Sequence, residues 1–262
     1  MTKKLHNSKQ IIGVFLACVL ALGLPLQTSA AAPPRNDAGG VVIAGALIGI
    51  AAQINIPFTS GAKVCTAGVK WKFTDGKIVF LTAGHCNVSG ALQVRWGRLT
   101  GSSVTPVKAY GTQYKAPTVG LKGDWSMLQP DRASDTAGNL VYNAGPTSNA
   151  TSAITGQGRD DSGLSVCVSG GTSGLVCGYT TGSLVATSAP VTIEGKKIAT
   201  VRKMSRSGAC LNGGGDSGAP VILKSGNAYL VLGILSGGSA SGSTCNAYYT
   251  PLNKIPGSLV LS

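Results

Sequence analysis

Short apolar runs separated by turn-forming residues recur from about Cys65 to the C-terminus. Runs of this length are typical of β-strands, because a helix needs apolar positions every three or four residues over a longer stretch. Thr74-Asp75-Gly76 and the segment KSGNAYL each stand between two such runs and predict tight hairpins. The pattern predicts an all-β protein, a sandwich or a barrel. Its candidate strands are KVCTAGVKWKF, TDGKIVFLTA, ALQVRWGRL, WSMLQ, LSVCVSG, LVCGYTT, PVTIEGKKIATV, APVILKS, AYLVLGILSGG and NAYYTPL.

Three stretches depart from this pattern. Residues 100–120 and 131–160 are rich in Gly, Ser, Thr and Asn, which predicts long surface loops. Residues 41–56, VVIAGALIGIAAQINI, are apolar but interrupted by glycines, and three interpretations stay open: an early strand, a short pro-segment or a membrane-seeking element. This segment is shorter than the ~20 residues that a membrane-spanning helix needs.

The N-terminus has the pattern of an export signal. Lys3, Lys4 and Lys9 precede the apolar run IIGVFLACVLALGL, and small residues follow it near Ala30 and Ala31. A basic segment, a short apolar run and small residues together predict a secretory signal peptide over residues 1–31. A retained membrane anchor is the alternative, although the apolar run is short for one. We therefore expect a secreted protein, or a periplasmic one where the host has an outer membrane.

Composition excludes some classes of protein. The formal net charge is +13, yet the basic residues are scattered and no nucleic-acid-binding motif is present. The 38 glycines have no three-residue period, which excludes collagen. A soluble, basic, exported protein is the interpretation we favour.

Cysteine usage points to disulfides. Removal of the leader removes Cys18, so an even number remains, and an even number in an exported chain implies a disulfide framework. Six cysteines allow about 15 connectivities, and the sequence alone does not choose among them. No pair has CxxC spacing and a single histidine survives leader removal, which argues against zinc. The six are Cys65, Cys86, Cys167, Cys177, Cys210 and Cys245.

The candidate chemistry involves three residues that are far apart in the chain. Ser217 lies on the glycine-rich bend GGGDSGAP, and His85, in FLTAGHC, follows an apolar run. Asp124 opens another run in KGDWSMLQP. A lone histidine or aspartate at such a boundary is more often structural. However, a serine hydroxyl becomes a good nucleophile only beside a base, and a carboxylate can hold that base in one tautomer.

The segments LTAGHC, GDWSML and GDSGAP resemble the signature segments of the chymotrypsin-fold serine proteases, in the same chain order. VCVSGGTSGLVCG and GILSGGSASGSTC resemble segments of the bacterial streptogrisin and α-lytic branch. The resemblance runs from about Cys65 to the end and implies two six-stranded antiparallel β-barrels with the active site in the cleft between them. The implied domains are a signal peptide over 1–31, an N-terminal extension or short pro-segment over 32–60, and a protease domain over 61–262 whose barrels divide near 125–150.

The resemblance also implies roles in a secreted serine endopeptidase that works through an acyl-enzyme. Ser217 would be the nucleophile, His85 the general base and acid, and Asp124 the residue that orients the histidine. The backbone N–H groups of Gly215 and Ser217 would form the oxyanion hole. The implied disulfides are Cys65–Cys86, Cys167–Cys177 and Cys210–Cys245.

Substrate binding can be placed by the same resemblance. Ser236, Gly237 and Gly238 match the edge that pairs with the substrate backbone. The base of the specificity pocket falls on Gly208 and Ala209, neither of which is acidic, so a preference for Lys or Arg at P1 lacks a counter-charge. We predict a neutral, apolar P1 residue.

The sequence departs from the family pattern at three places. The loop CLNGGGDS is one residue longer than usual, and Ala219 replaces a glycine, which would strain the bend if its φ were positive. Asp216 needs a partner, because a buried carboxylate without one is costly. Val168 stands where an arginine often falls. We therefore expect another donor, such as Arg206 or a new N-terminus near Val41, to bind the Asp216 carboxylate.

Two other functions remain open. An inactive homologue would keep the fold and bind peptides or surfaces, and an unrelated β-rich adhesin would carry the three segments by coincidence. We expect polypeptide substrates, no nucleic-acid or membrane partner after signal cleavage, a monomer, and no metal or cofactor.

Overall fold

The structure is a computed structural model that describes residues 42–51, 63–87, 93–100, 103–115, 117–131, 136–146, 148–208, 210, 214–241 and 243–262. The predicted signal peptide lies outside these residues. Within the described segments there is no α-helix, and so no helix that could cross a membrane. The strands in chain order are β1 (Val42–Ala44), β2 (Leu47–Ala51), β3 (Lys63–Thr66), β4 (Lys70–Lys72), β5 (Ile78–Thr82), β6 (Gln93–Thr100), β7 (Ser103–Gln113), β8 (Thr118–Gly120), β9 (Gly123–Pro130), β10 (Thr136–Tyr142), β11 (Thr151–Gln157), β12 (Ser165–Gly170), β13 (Gly174–Leu184), β14 (Val191–Ile193), β15 (Lys196–Ile198), β16 (Arg202–Ser207), β17 (Pro220–Ser225), β18 (Ala228–Ser241), β19 (Thr244–Pro251) and β20 (Ser258–Leu259).

Besides a separate two-stranded sheet of β14 and β15, the described strands form two nine-stranded sheets. One follows the order β20-β4-β5-β9-β7-β6-β2-β3, with β8 beside β9. The other follows β1-β10-β11-β18-β17-β12-β13-β16-β19, and β18 also pairs with β19. That pairing closes β18, β17, β12, β13, β16 and β19 into a six-stranded antiparallel barrel, whose closure leaves no free edge among those six strands. The all-β prediction is confirmed.

Both predicted hairpins are present. In the first, Lys72 pairs with Ile78 across the turn that contains Gly76. In the second, Ser225 pairs with Ala228, and Gly226 occupies the turn. Gly76 and Gly226 have φ values of 85° and 61°, the left-handed conformation that glycine adopts most easily. Local turn chemistry therefore decides these two connections.

The two predicted long loops are wrong in large part. β7 and β8 lie within residues 100–120, and β10 and β11 lie within 131–160. Threonine suits a strand, and glycine can be required there by close packing. At Gly111, for example, a Cβ would overlap the carbonyl oxygen of Gln129 on the neighbouring β9. A polar, glycine-rich composition here reflects strand packing.

The apolar segment 41–56 is structural over its described part. β1 is buried and pairs in parallel with β10, and β2 pairs with β3 and β6. The strand interpretation is therefore the right one for residues 42–51. β1 and β2 lie within residues 32–60, the predicted N-terminal extension or pro-segment, and each belongs to one of the two large sheets. Residues 52–60 lie outside the described part of the chain.

Each end of the folded chain joins the sheet that the other half builds. β1 contributes to the sheet of the C-terminal barrel, while β20 pairs with β4 through Leu259 and Trp71. The Trp71 Nε1–H donates to the Pro256 carbonyl at 2.8 Å, and the Lys70 ammonium donates to Ser262 at 2.7 Å. These contacts connect the two halves independently of the segment that follows β9.

A partly buried ion pair fixes the loop after β11 to the C-terminal barrel. Arg202 donates from Nε to Asp160 Oδ1 at 2.5 Å and from a terminal nitrogen to Oδ2 at 3.0 Å, and the two side chains are only 11% and 7% exposed. The hydroxyl of Tyr249 donates to the same carboxylate at 2.9 Å. Burial, and then the charge of Asp160, raise the pKa of Tyr249, which keeps this donor protonated.

Replacement of Asp160 by alanine should therefore lower the free energy of unfolding by about 1.5–3 kcal/mol, because it removes the charged hydrogen-bond partner of the partly buried Arg202 guanidinium. Urea denaturation followed by fluorescence would measure this. The matched control is Asp161→Ala, which removes only an exposed pair with Arg159 and should change stability little. Equal effects of the two substitutions would contradict the prediction.

Candidate active site

His85 lies in a single 3₁₀ turn, Gly84–Cys86, that begins directly after β5. The side chain is buried, and two contacts with Asp124 orient it. The backbone N–H of His85 donates to Asp124 Oδ1 at 2.8 Å, and the ring Nδ1 lies 2.7 Å from Oδ2. A carboxylate in this position selects the tautomer with the proton on Nδ1, which leaves Nε2 able to accept one.

Asp124 is held from the other side by the C-terminal barrel. It is the second residue of β9 and is completely buried. Its backbone N–H donates to the hydroxyl oxygen of Thr250 at 2.9 Å, and that hydroxyl lies 3.2 Å from the Asp124 carbonyl. The histidine–aspartate pair is therefore anchored by both halves of the molecule.

Ser217 lies on a bend that needs glycine at the next position. Gly218 has a φ of 91°, and a Cβ there would overlap the Thr82 hydroxyl and the Thr66 carbonyl. The Gly218 N–H donates to Leu235 at 2.7 Å. Ala219 is not among the described non-glycine residues with positive φ, so the strain considered for its methyl group does not arise.

The bend brings Ser217 to the histidine turn. The Ser217 carbonyl accepts the N–H of Thr66 at 2.8 Å and lies 3.7 Å from the sulfur of Cys86, the residue after His85. The Ser217 hydroxyl donates to the carbonyl of Ser236 at 3.5 Å rather than to the imidazole. Only the His85–Asp124 contact of the predicted triad is thus formed directly, which is common in enzymes without substrate.

The partner of Asp216 is not Arg206, one of the two predicted candidates. Its carboxylate is 2% exposed and accepts the N–H and hydroxyl of Thr172 at 3.0 and 2.6 Å. It also accepts the N–H of Ser173 at 3.0 Å, and the Ser173 hydroxyl. Arg206 instead donates to the Cys177 carbonyl and lies over the Tyr179 ring. Val41 lies outside the described residues.

Neutral donors in a turn, rather than a cation, therefore bind the Asp216 carboxylate. Thr172 and Ser173 stand in the turn between β12 and β13, where the sequence reads GGTSG. Four hydrogen bonds to one carboxylate can offset much of the cost of its burial. The motif was visible in the sequence only as a turn, because nothing local shows that it meets a residue more than forty positions away.

The cleft beside Ser217 is a cavity of about 560 Å³, within the usual size range for ligand sites. Ser236, Gly237 and Gly238 line it, as predicted for substrate contact, whereas Gly208 is not among its described lining residues and donates to Ser243. Ala209 lies outside the described residues. Sequence reasoning missed the contribution of β14 and the turn after it. The other described lining residues are Thr192, Ile193, Glu194, Cys210, Gly214, Asp216, Leu235, Ser239, Cys245, Ala247 and Tyr248.

Three disulfides support the site. Cys65–Cys86 braces the histidine turn, Cys167–Cys177 joins β12 to β13 beside the turn that binds Asp216, and Cys210–Cys245 borders the cleft. Loops of the lengths they close contribute about 3–4 kcal/mol each in the chain-entropy model. Each disulfide thus restrains an element that carries a site residue.

The barrel, the buried histidine–aspartate pair and the serine bend define a chymotrypsin-fold serine protease. A model of the trypsin family matches residues 51–256. The chain belongs to the trypsin family of serine endopeptidases.

Individual relatives agree with this assignment. Serine protease 1 of Rarobacter faecitabidus is 29% identical over 179 residues, which are 67% of this chain but only 29% of that protein. The structure is similar to the Nocardiopsis protease NAPase, with a TM-score of 0.56 and 22% identity over 81% of this chain and 93% of that one. It is also similar to Thermobifida fusca protease A, with a TM-score of 0.55 and 23% identity over 81% and 92%. These two structures share the fold.

Proposed function

We propose that the protein is a secreted serine endopeptidase in which Ser217 attacks the peptide carbonyl. The observation that carries the proposal is the 2.7 Å contact between the buried His85 and Asp124, together with a bend that places Ser217 in the wall of the cleft and its carbonyl against the histidine turn. For this step the Ser217 side chain would rotate from the Ser236 carbonyl toward His85 Nε2. His85 would then remove the hydroxyl proton as the C–O bond of the acyl-enzyme forms.

His85 would next donate that proton to the leaving amine, and the same base would activate the water that hydrolyses the acyl-enzyme. Asp124 stabilises the imidazolium present between these steps. Because Asp124 is completely buried, water screens this interaction little.

The N–H groups of Gly215 and Ser217 are the proposed oxyanion hole. Thr66 holds the bend that carries them: its hydroxyl donates to the Gly215 carbonyl at 2.6 Å, and its N–H donates to the Ser217 carbonyl. Such a fixed arrangement can stabilise the developing negative charge without reorganisation. Loss of one donor of this kind costs about 2.7–4 kcal/mol in a comparable enzyme.

The pocket supports a neutral, apolar P1 residue. Its described walls beyond Ser217 include Leu235, Ala247 and the Cys210–Cys245 disulfide. The Asp216 carboxylate is engaged by Thr172 and Ser173 and is not offered to a cationic substrate. We propose that polypeptide substrates pair their backbone with Ser236–Gly238, and that the protein acts as a monomer, without nucleic acid or membrane, after removal of residues 1–31.

Labelling with a fluorophosphonate tests this proposal. We expect one adduct per molecule, located on Ser217 by peptide mass spectrometry, because the base and the oxyanion hole activate that hydroxyl alone. The matched control is Ser239→Ala, which removes another serine from the same cleft and should leave labelling intact. Folded protein that takes up no label would instead support an inactive homologue that binds peptides.

A further inference from the structure

A second carboxylate stands beside the histidine. Glu194 lines the cleft, and its Oε1 lies 3.6 Å from His85 Nε2. This side chain is 53% exposed, whereas Asp124 on the other side of the imidazole is completely buried. The roles described so far do not involve Glu194, although it is one of only nine acidic residues in the chain.

A rigid hairpin positions Glu194. β14 and β15 pair through Ile193 and Lys196, and Glu194 occupies the turn between them. Ile193 and Ile198 are buried with Val201, which packs the hairpin onto the barrel. Glu194 has a φ of 46°, a left-handed conformation that glutamate rarely adopts and that Asn or Asp would suit better at this kind of turn. The carboxylate is thus held in place at some conformational cost.

The geometry of an extended substrate indicates what meets this carboxylate. Successive side chains of a strand point to opposite sides. If one side chain enters the pocket beside Leu235 and Ala247, the preceding one points away from that pocket and across the cleft. Glu194, at the turn of the β14–β15 hairpin, lines the cleft beside His85. A cationic side chain there would meet the Glu194 carboxylate.

We propose that Glu194 is a specificity-determining residue that selects substrates with Lys or Arg immediately before the residue in the primary pocket. This inference rests on the proposed function of Ser217. Such a side chain would form an ion pair with the Glu194 carboxylate, which lines the cleft. Association with substrate removes water from the pair and strengthens an interaction that would be weak at an open surface.

Two peptides that differ only at that position, one with Lys and one with Met, test the inference. For the native protein the ratio of kcat/KM for the Lys peptide over the Met peptide should be about tenfold, and Glu194→Gln should reduce it to about one. High ionic strength should reduce the native ratio as well. Lys197→Gln, on the same hairpin, is the matched control and should keep the ratio or raise it.

The outcomes separate the two proposals. A ratio near one in the native protein, or one that Glu194→Gln leaves unchanged, overturns the inference while cleavage of the Met peptide still supports the role of Ser217. A purely structural role for Glu194 would lower both activities together and leave the ratio as it was, which also overturns the inference. Failure of fluorophosphonate labelling would overturn the role of Ser217 itself.

Discussion

Replacement of Ser217 by alanine should reduce peptide hydrolysis by about 10⁴-fold or more, because it removes the proposed nucleophile. The fold should be almost unaffected. The side chain of Ser217 makes one long hydrogen bond, at 3.5 Å, while its carbonyl, which alanine keeps, holds the bend to Thr66. Loss of turnover with retained stability distinguishes a catalytic residue from a structural one.

Steady-state hydrolysis of a peptide substrate and urea denaturation of the same preparation would measure both quantities. Ser239→Ala, which changes another serine of the cleft, should keep most of the turnover. Substantial turnover in the Ser217→Ala protein would contradict the assignment, and a large loss of stability would show that Ser217 is structural.

The double substitution Thr172→Val/Ser173→Ala should lower the free energy of unfolding by about 3–6 kcal/mol. It removes two hydroxyl donors from a buried carboxylate, and hydrogen bonds to charged groups contribute about 1.5–3 kcal/mol each. The two backbone N–H donors remain, so Asp216 would be only half satisfied. Because Asp216 precedes Ser217, catalysis should fall as well.

Urea denaturation in the Ser217→Ala background, which cannot digest itself, would measure this loss. The matched control is Thr180→Val/Ser183→Ala, which makes the same two chemical changes at exposed positions of β13. A change below about 1 kcal/mol in the double variant would mean that Asp216 does not depend on these donors.

Features that depend on nearby residues could be predicted from the sequence. The hairpins at Gly76 and Gly226 follow from their turn residues, and the strand that ends before His85 follows from an apolar run. The resemblance of three short segments to a known family indicated which distant residues would meet, and the His85–Asp124 contact is of that kind. Neither periodicity nor spacing alone would have paired them.

Features that depend on packing between distant residues could not be predicted from the sequence. The sequence around Gly111 has the composition of a loop, and only the close approach of the Gln129 carbonyl explains why a strand needs glycine there. The turn at Thr172 likewise has no local feature that indicates binding of Asp216. Glu194 was overlooked for the same reason, since nothing in IEGKK shows that its hairpin reaches the histidine. Arg206 was wrongly predicted as the partner of Asp216, because hydroxyl and backbone N–H donors stabilise the buried carboxylate in place of a cation.

Each terminal strand pairs with the other half of the fold, which matters if the enzyme cuts its own chain. A single cut between residues 130 and 136 would divide the polypeptide, yet the amino-terminal fragment would keep β1 bonded to β10, and the carboxy-terminal fragment would keep β20 bonded to β4. Each described disulfide lies within one fragment. We expect these noncovalent contacts to hold the two fragments of such a molecule together.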